Sequence, residues 1–136
     1  MHCRKIPQMI TSYQLDFGFV EIYDDYIKVT IKEGITVSPE HNDVLLEMVE
    51  KHYKNKAFVY LTHRINSYAV NPTIYLETAK IQNLVGFAVV SNDPRQKNQT
   101  RLEKAFFSKE LRQFDNIESA IQWKDELLKK HYKSIS

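Results

Sequence analysis

Tyr13, Leu15 and Phe17 alternate with Gln14 and Asp16, and Ile27, Val29 and Ile31 alternate with Lys28, Thr30 and Lys32. A hydrophobic period of two marks strands with one buried and one wet face. Residues 20–23 predict a further short strand, set off by Gly18 on one side and the polar Asp24-Asp25 turn on the other. Three antiparallel strands with one solvated face account best for this opening.

After Gly34 the period changes. Ser38, Pro39 and Glu40 predict a helix start, because serine accepts an orphan N–H, proline fits the first helical position, and an acid opposes the positive helix end. Val44, Leu45, Met48, Val49, His52 and Tyr53 then recur at helical spacing, which reads as a core-facing stripe. Residues 57–62 and 84–90 are apolar without alternation, short and rich in strand formers, as expected of parallel strands covered on both faces. Between them a short helix is expected from Asn71-Pro72 to about Lys80, giving a right-handed β–α–β unit. A helix is expected over residues 97–107, with Leu102, Ala105 and Phe106 inward, and a brief extended piece over 111–114. Asp115 or Asn116 caps a last helix carrying Ile117, Ala120, Ile121, Leu127 and Leu128 around Trp123, and Asp115 with Glu118 has the form of a capping box. The order is β-β-β-α-β-α-β-α-(β)-α. The fold class is therefore α/β: a single-layer mixed sheet, antiparallel at its N-terminal end and then parallel, with flanking helices.

Composition adds limits. The chain has 136 residues, 43% hydrophobic and 26% charged, with a net charge of +2, which suits one globular domain, expected over residues 10–132. Residues 1–9 are expected to form a flexible extension, with Met1 or Met9 as the natural start. Cys3 is the sole cysteine, so no intrachain disulfide and no cysteine-based zinc site can form. The five histidines show no metal-ligand spacing, and no stretch approaches the roughly 18 apolar residues of a membrane span. A cytoplasmic protein without membrane insertion and without cofactor or metal is expected. The nearest basic group, Lys124, Lys129, Lys130 and Lys133, is interrupted by Asp125 and Glu126 and reads as a solvated helix face, so nucleic acid is not expected as a partner.

Three stretches carry a family likeness: residues 58–72 (FVYLTHRINSYAVNP), residues 84–90, and residues 114–123 (FDNIESAIQW). With them the chain resembles the STAS-like superfamily, specifically its bacterial SpoIIAA-like group. The resemblance implies a mixed sheet with packed helices in a domain that binds proteins or small ligands, commonly without catalysis. Its best-known members, anti-sigma-factor antagonists, are switched by phosphorylation of a serine that follows an aspartate at a helix start. Here residues 63–72 contain no Asp-Ser pair; Ser67 and Thr73 are the nearest hydroxyls, and neither matches the motif.

Ligands of open α/β sheets bind beyond the carboxyl ends of parallel strands. Two loops qualify: one carries His63, Arg64, Asn66, Ser67, Tyr68 and Asn71, the other Ser91, Asn92, Asp93 and Arg95. If their strands are neighbours, the loops share a crevice, and a small anionic ligand is expected at the Asn71-Pro72 helix start with help from Arg64. His63, Ser67 and Asp93 name the types of a triad, but no nucleophile elbow surrounds Ser67. Gly18, Gly34 and Gly86 all lie outside both loops, which excludes a glycine-rich phosphate cradle. The expected function is a non-enzymatic regulatory or protein-interaction domain, with a homodimer open to it. The alternative is a small-ligand or lipid carrier with Tyr60, Tyr68, Tyr75 and Phe87 around an apolar pocket.

Overall fold

The computed structural model describes residues 9–66 and 69–135. The extension expected over residues 1–9 falls, apart from Met9, outside them. Strands β1 (Thr11–Leu15), β2 (Gly18–Ile22) and β3 (Tyr26–Ile31) form the expected antiparallel meander. From β3 onward the sheet is parallel, through β5 (Phe58–His63), β7 (Leu84–Val90) and β8 (Glu110–Phe114), in the order β1-β2-β3-β5-β7-β8. A second small sheet joins β4 (Thr36–Val37) to β6 (Ala69–Val70). Its two-residue strands are too short to leave a period in the sequence.

Among the described residues four helices cover the sheet: α1 (Pro39–Tyr53), α2 (Ile74–Thr78), α3 (Gln96–Lys104) and α4 (Ile117–Ile135). On one face Leu45, Val49 and Tyr53 of α1, Ile74 and Tyr75 of α2, and Phe107 after α3 pack on Val20, Ile27, Phe58, Tyr60, Phe87 and Val89. On the other, Ala120, Trp123 and Leu128 of α4 pack on Tyr26, Val59, Leu61, Ala88 and Val90. Burial on both faces explains why β5 and β7 lack alternation. Gly86 lets α4 lie close to β7, since a Cβ there would sit 2.5 Å from Leu127 and 2.9 Å from Trp123. Gly34 takes the left-handed conformation, φ 78°, at the turn after β3.

Three local expectations need correction. Helix α2 begins at Ile74 rather than at Pro72 and is only five residues long. Asn71 and Pro72 form a turn in which the Asn71 Oδ1 accepts the Thr73 N–H at 3.1 Å and its hydroxyl at 2.8 Å. In α3, Leu102 is 56% exposed and Ala105 also faces solvent, while Thr100, Glu103 and Phe107 turn inward. The phase of this helix is set by Glu103, which meets a buried arginine, and by Phe107, which packs edge-on against Phe87 at 5.7 Å. In α4 the cap is Asn116, one of the two residues expected, whose Oδ1 accepts the Ser119 N–H at 2.8 Å; the Asp115–Glu118 capping box is the part that is corrected.

Lys124, expected in solvent, is 2% exposed. Its ammonium binds Asp25 at 2.9 Å and Asp125 at 2.6 Å and lies 5.2 Å from the centre of the Tyr26 ring. The turn after β2 thus supplies the partner that lets a lysine sit inside the α4 face. Among the described residues, no helix is long and apolar enough to cross a membrane.

Candidate functional site

Because β3, β5, β7 and β8 run parallel, their carboxyl ends share one rim, and there α3 and α4 begin. A cleft of about 700 Å³ opens on that rim, lined by Glu33 after β3, His63–Asn66 at the end of β5, Val90–Asp93 with Arg95 at the end of β7, and Asp115–Glu118 after β8. The two loops singled out from sequence do meet. His63, Arg64, Asn66, Asn92, Asp93 and Arg95 all line this cleft; Asn71 and Thr73 are not in its lining. Ser67 and Tyr68 lie outside the described residues. The lining also includes Glu33, Asp115 and Glu118, which with Asp93 makes four carboxylates beside Arg95, the Arg64 guanidinium being turned to Glu103. This balance disfavours an anion. Asp93, Asp115 and Glu118 sit near the positive ends of α3 and α4, where acids stabilise a helix.

Arg64 is the residue whose placement departs most from expectation. Its side chain and that of Glu103 are each 2% exposed. One guanidinium nitrogen meets Glu103 Oε1 at 2.8 Å and Gln96 Oε1 at 3.0 Å; the other meets Glu103 Oε2 at 2.5 Å and the Tyr75 hydroxyl at 3.0 Å. The Tyr75 hydroxyl in turn donates to Glu103 Oε2. This bidentate pair locks β5, α2 and α3 together. The guanidinium is therefore committed inward, and an anion would have to displace Glu103 to reach it. Asn71 likewise fills the turn N–H that an anion was expected to take.

Other side chains of the cleft are also tied down. Asp93 holds Arg95 at 2.9 Å and accepts its backbone N–H at 3.0 Å, and this partner draws the Asp93 carboxyl below the ordinary range. Asn66 donates to the Ile31 carbonyl at 2.9 Å. Ser91, buried at the end of β7, accepts the Asp93 N–H at 3.2 Å. Among the described contacts no hydrogen bond joins His63 to Asp93.

Burial depresses the His63 pKa, Lys28 lowers it further, and Glu21 partly opposes the shift. His52, bonded to the Tyr13 hydroxyl at 2.7 Å, is depressed by burial and then by Lys51. For both, the unfolded chain takes up its proton first as pH falls through about 6.5. Their neutral forms therefore favour the fold above that pH, and the benefit is lost as pH falls toward the folded values. Melting midpoints measured from pH 7.5 to 5 should fall, and less steeply in His52→Gln and His63→Gln. An unchanged slope in both variants would remove this explanation.

No family model and no curated protein matches the chain. Its architecture does find a match: an uncharacterised protein of the DUF3478 family from Shewanella loihica PV-4, described as having a SpoIIAA-like fold, aligns over 91% of this chain and 99% of that one, with a TM-score of 0.54 and 14% identity. The chain has the SpoIIAA-like fold. At that identity the likeness establishes architecture, and function has to be argued from the site.

In this SpoIIAA-like domain three of the residues named for an apolar pocket, Tyr60, Tyr75 and Phe87, fill one another's space, and the fourth, Tyr68, lies outside the described residues. Tyr60 stacks on Phe87 at 4.6 Å, and Tyr75 meets Phe87 edge-on at 5.3 Å. The cavity bordered by these rings measures about 30 Å³, on the scale of a water molecule rather than a lipid. Sequence reasoning missed Glu33, Asp115, Glu118 and Ile65 as cleft residues. Each directly follows or closely trails a parallel strand, and that was the available signal.

Proposed function

We propose that this SpoIIAA-like domain is a non-enzymatic, cytoplasmic protein-interaction module, acting as an adaptor or regulator, and that its partner docks on the rim around Ile65. One observation carries the reading. Ile65 is 64% exposed on the cleft, yet its neighbours are fixed: Arg64 by the buried pair and by its N–H to the Val90 carbonyl at 2.9 Å, Asn66 by the Ile31 carbonyl. A branched apolar side chain held outward on a pinned loop, with a polar cleft beside it, has the character of an interface anchor. The four carboxylates of the cleft favour a partner presenting basic residues beside an apolar contact. The filled core supports this reading over the carrier.

The test is affinity capture from the native source, with wild-type, Ile65→Glu and Leu102→Glu forms compared by quantitative mass spectrometry. A protein retained by wild type and Leu102→Glu but depleted about tenfold or more by Ile65→Glu is expected. Equal recovery by all three forms would contradict the docking site.

A further inference from the structure

The two edges of the large sheet differ in how they are guarded. A sheet edge presents unpaired N–H and C=O groups, and charges, proline, bulges or a covering element ordinarily keep other strands away. At one edge β8 carries the exposed Glu110 and Arg112, and α3 and the start of α4 wall a cleft beside it. At the other edge β1, with the sequence TSYQL, has no charge and no proline. Its pairing with β2 runs one-to-one through all five residues without a bulge. Among the described residues, β2 is its only strand partner.

Apolar surface accompanies this bare edge. Met9 and Ile10, directly before β1, are 47% and 60% exposed. Tyr13 and Leu15 pack against the core on the α1 face yet stay half-buried, while Ser12 and Gln14 face solvent. The Tyr13 hydroxyl is bonded to His52 of α1 at 2.7 Å, and the Ile10 N–H donates to the Ile22 carbonyl at 2.7 Å. The strand is thus fixed from inside, and its outer backbone groups are left to a partner.

We propose that β1 pairs antiparallel with β1 of a second copy of this chain, joining the two large sheets into one. A two-fold axis at Tyr13 gives the register that uses all five residues. It sets Ser12 opposite Gln14, Tyr13 opposite Tyr13, and Thr11 opposite Leu15 of the second copy. Each pair suits its members: hydroxyl with amide, ring with ring, threonine methyl with leucine. Met9 falls across from Phe17 of the copy, which extends the apolar contact past the strand end. The same operation on β8 would set Arg112 against Arg112, a like-charge pair that opposes contact. The bare edge is therefore the self-complementary one. It is separate from the surface around Ile65, which follows β5, so each assignment stands without the other.

Sedimentation velocity of the full chain, from micromolar to submillimolar concentration, tests this. A concentration-dependent dimer is expected for wild type. Ser12→Lys with Gln14→Lys puts like charges opposite each other at two pairs, and should weaken dimerisation about tenfold or more. Ser12→Lys with Gln14→Glu puts opposite charges at the same two pairs, and should return it to within about threefold of wild type. Both positions face solvent, so both variants keep the fold. A wild type that stays monomeric throughout would overturn the proposal. So would a double-lysine variant that dimerises as tightly as wild type, or an equal loss in the two variants.

Discussion

Arg64→Ala should destabilise the fold by about 3–5 kcal/mol, because it strands Glu103 as an unpaired charge in a dry site. The magnitude follows from burial: both side chains are 2% exposed, and the arginine makes four hydrogen bonds to three residues. Glu103→Ala should cost a similar amount. Replacing the network as a unit, Arg64→Met with Glu103→Met and Tyr75→Phe, should bring stability back to near wild type, since a buried ion pair repays little more than its own desolvation. Urea unfolding at pH 7 measures all of these. A single-variant loss below about 1 kcal/mol would mean that water reaches the pair.

Phe58→Ala is the second large effect, at about 3–5 kcal/mol. Phe58 is fully buried at the start of the central strand β5 and stacks on Tyr53 with ring centres 4.5 Å apart. The Tyr53 hydroxyl, shared between the Tyr23 and Tyr26 carbonyls at 2.7 and 2.5 Å, ties α1 to the β2–β3 turn. Removing the ring opens a void where strand, helix and turn meet, and the rigid sheet limits its collapse. Hydrogen exchange should show β5 and α1 losing protection together. Loss below about 1 kcal/mol, or exchange confined to α1, would place Phe58 outside the core.

The sequence disclosed what depends on local pattern. Alternation located the meander, continuous apolar runs located β5 and β7 as neighbouring interior strands, and the α4 stripe was legible around Trp123. It did not disclose where charges would find partners. Arg64 read as a loop cation open to a ligand and Lys124 as solvated, because Glu103 and Asp25 lie 39 and 99 residues away from them in the chain. Leu102 read as core because α3 was phased by its apolar residues, whereas the inward set is Thr100, Glu103 and Phe107, with Gln96 above them. That spacing of four, three and four is helical, and it follows an arginine placed directly after a fully buried strand. The combination was visible but carries no meaning until the pairing is known. The shared cleft was inferred correctly from strand adjacency, but the turn at Asn71 satisfies its own donors and so offers nothing to an anion.

The most direct test of this account is guanidinium NMR of the arginines at neutral pH. Arg64, 2% exposed and paired with Glu103, should give a separate Nε–H signal that exchanges slowly with water, while the exposed Arg101 and Arg112 exchange fast. An Arg64 signal that exchanges as fast as theirs would contradict the inward lock and the outward presentation of Ile65 that depends on it.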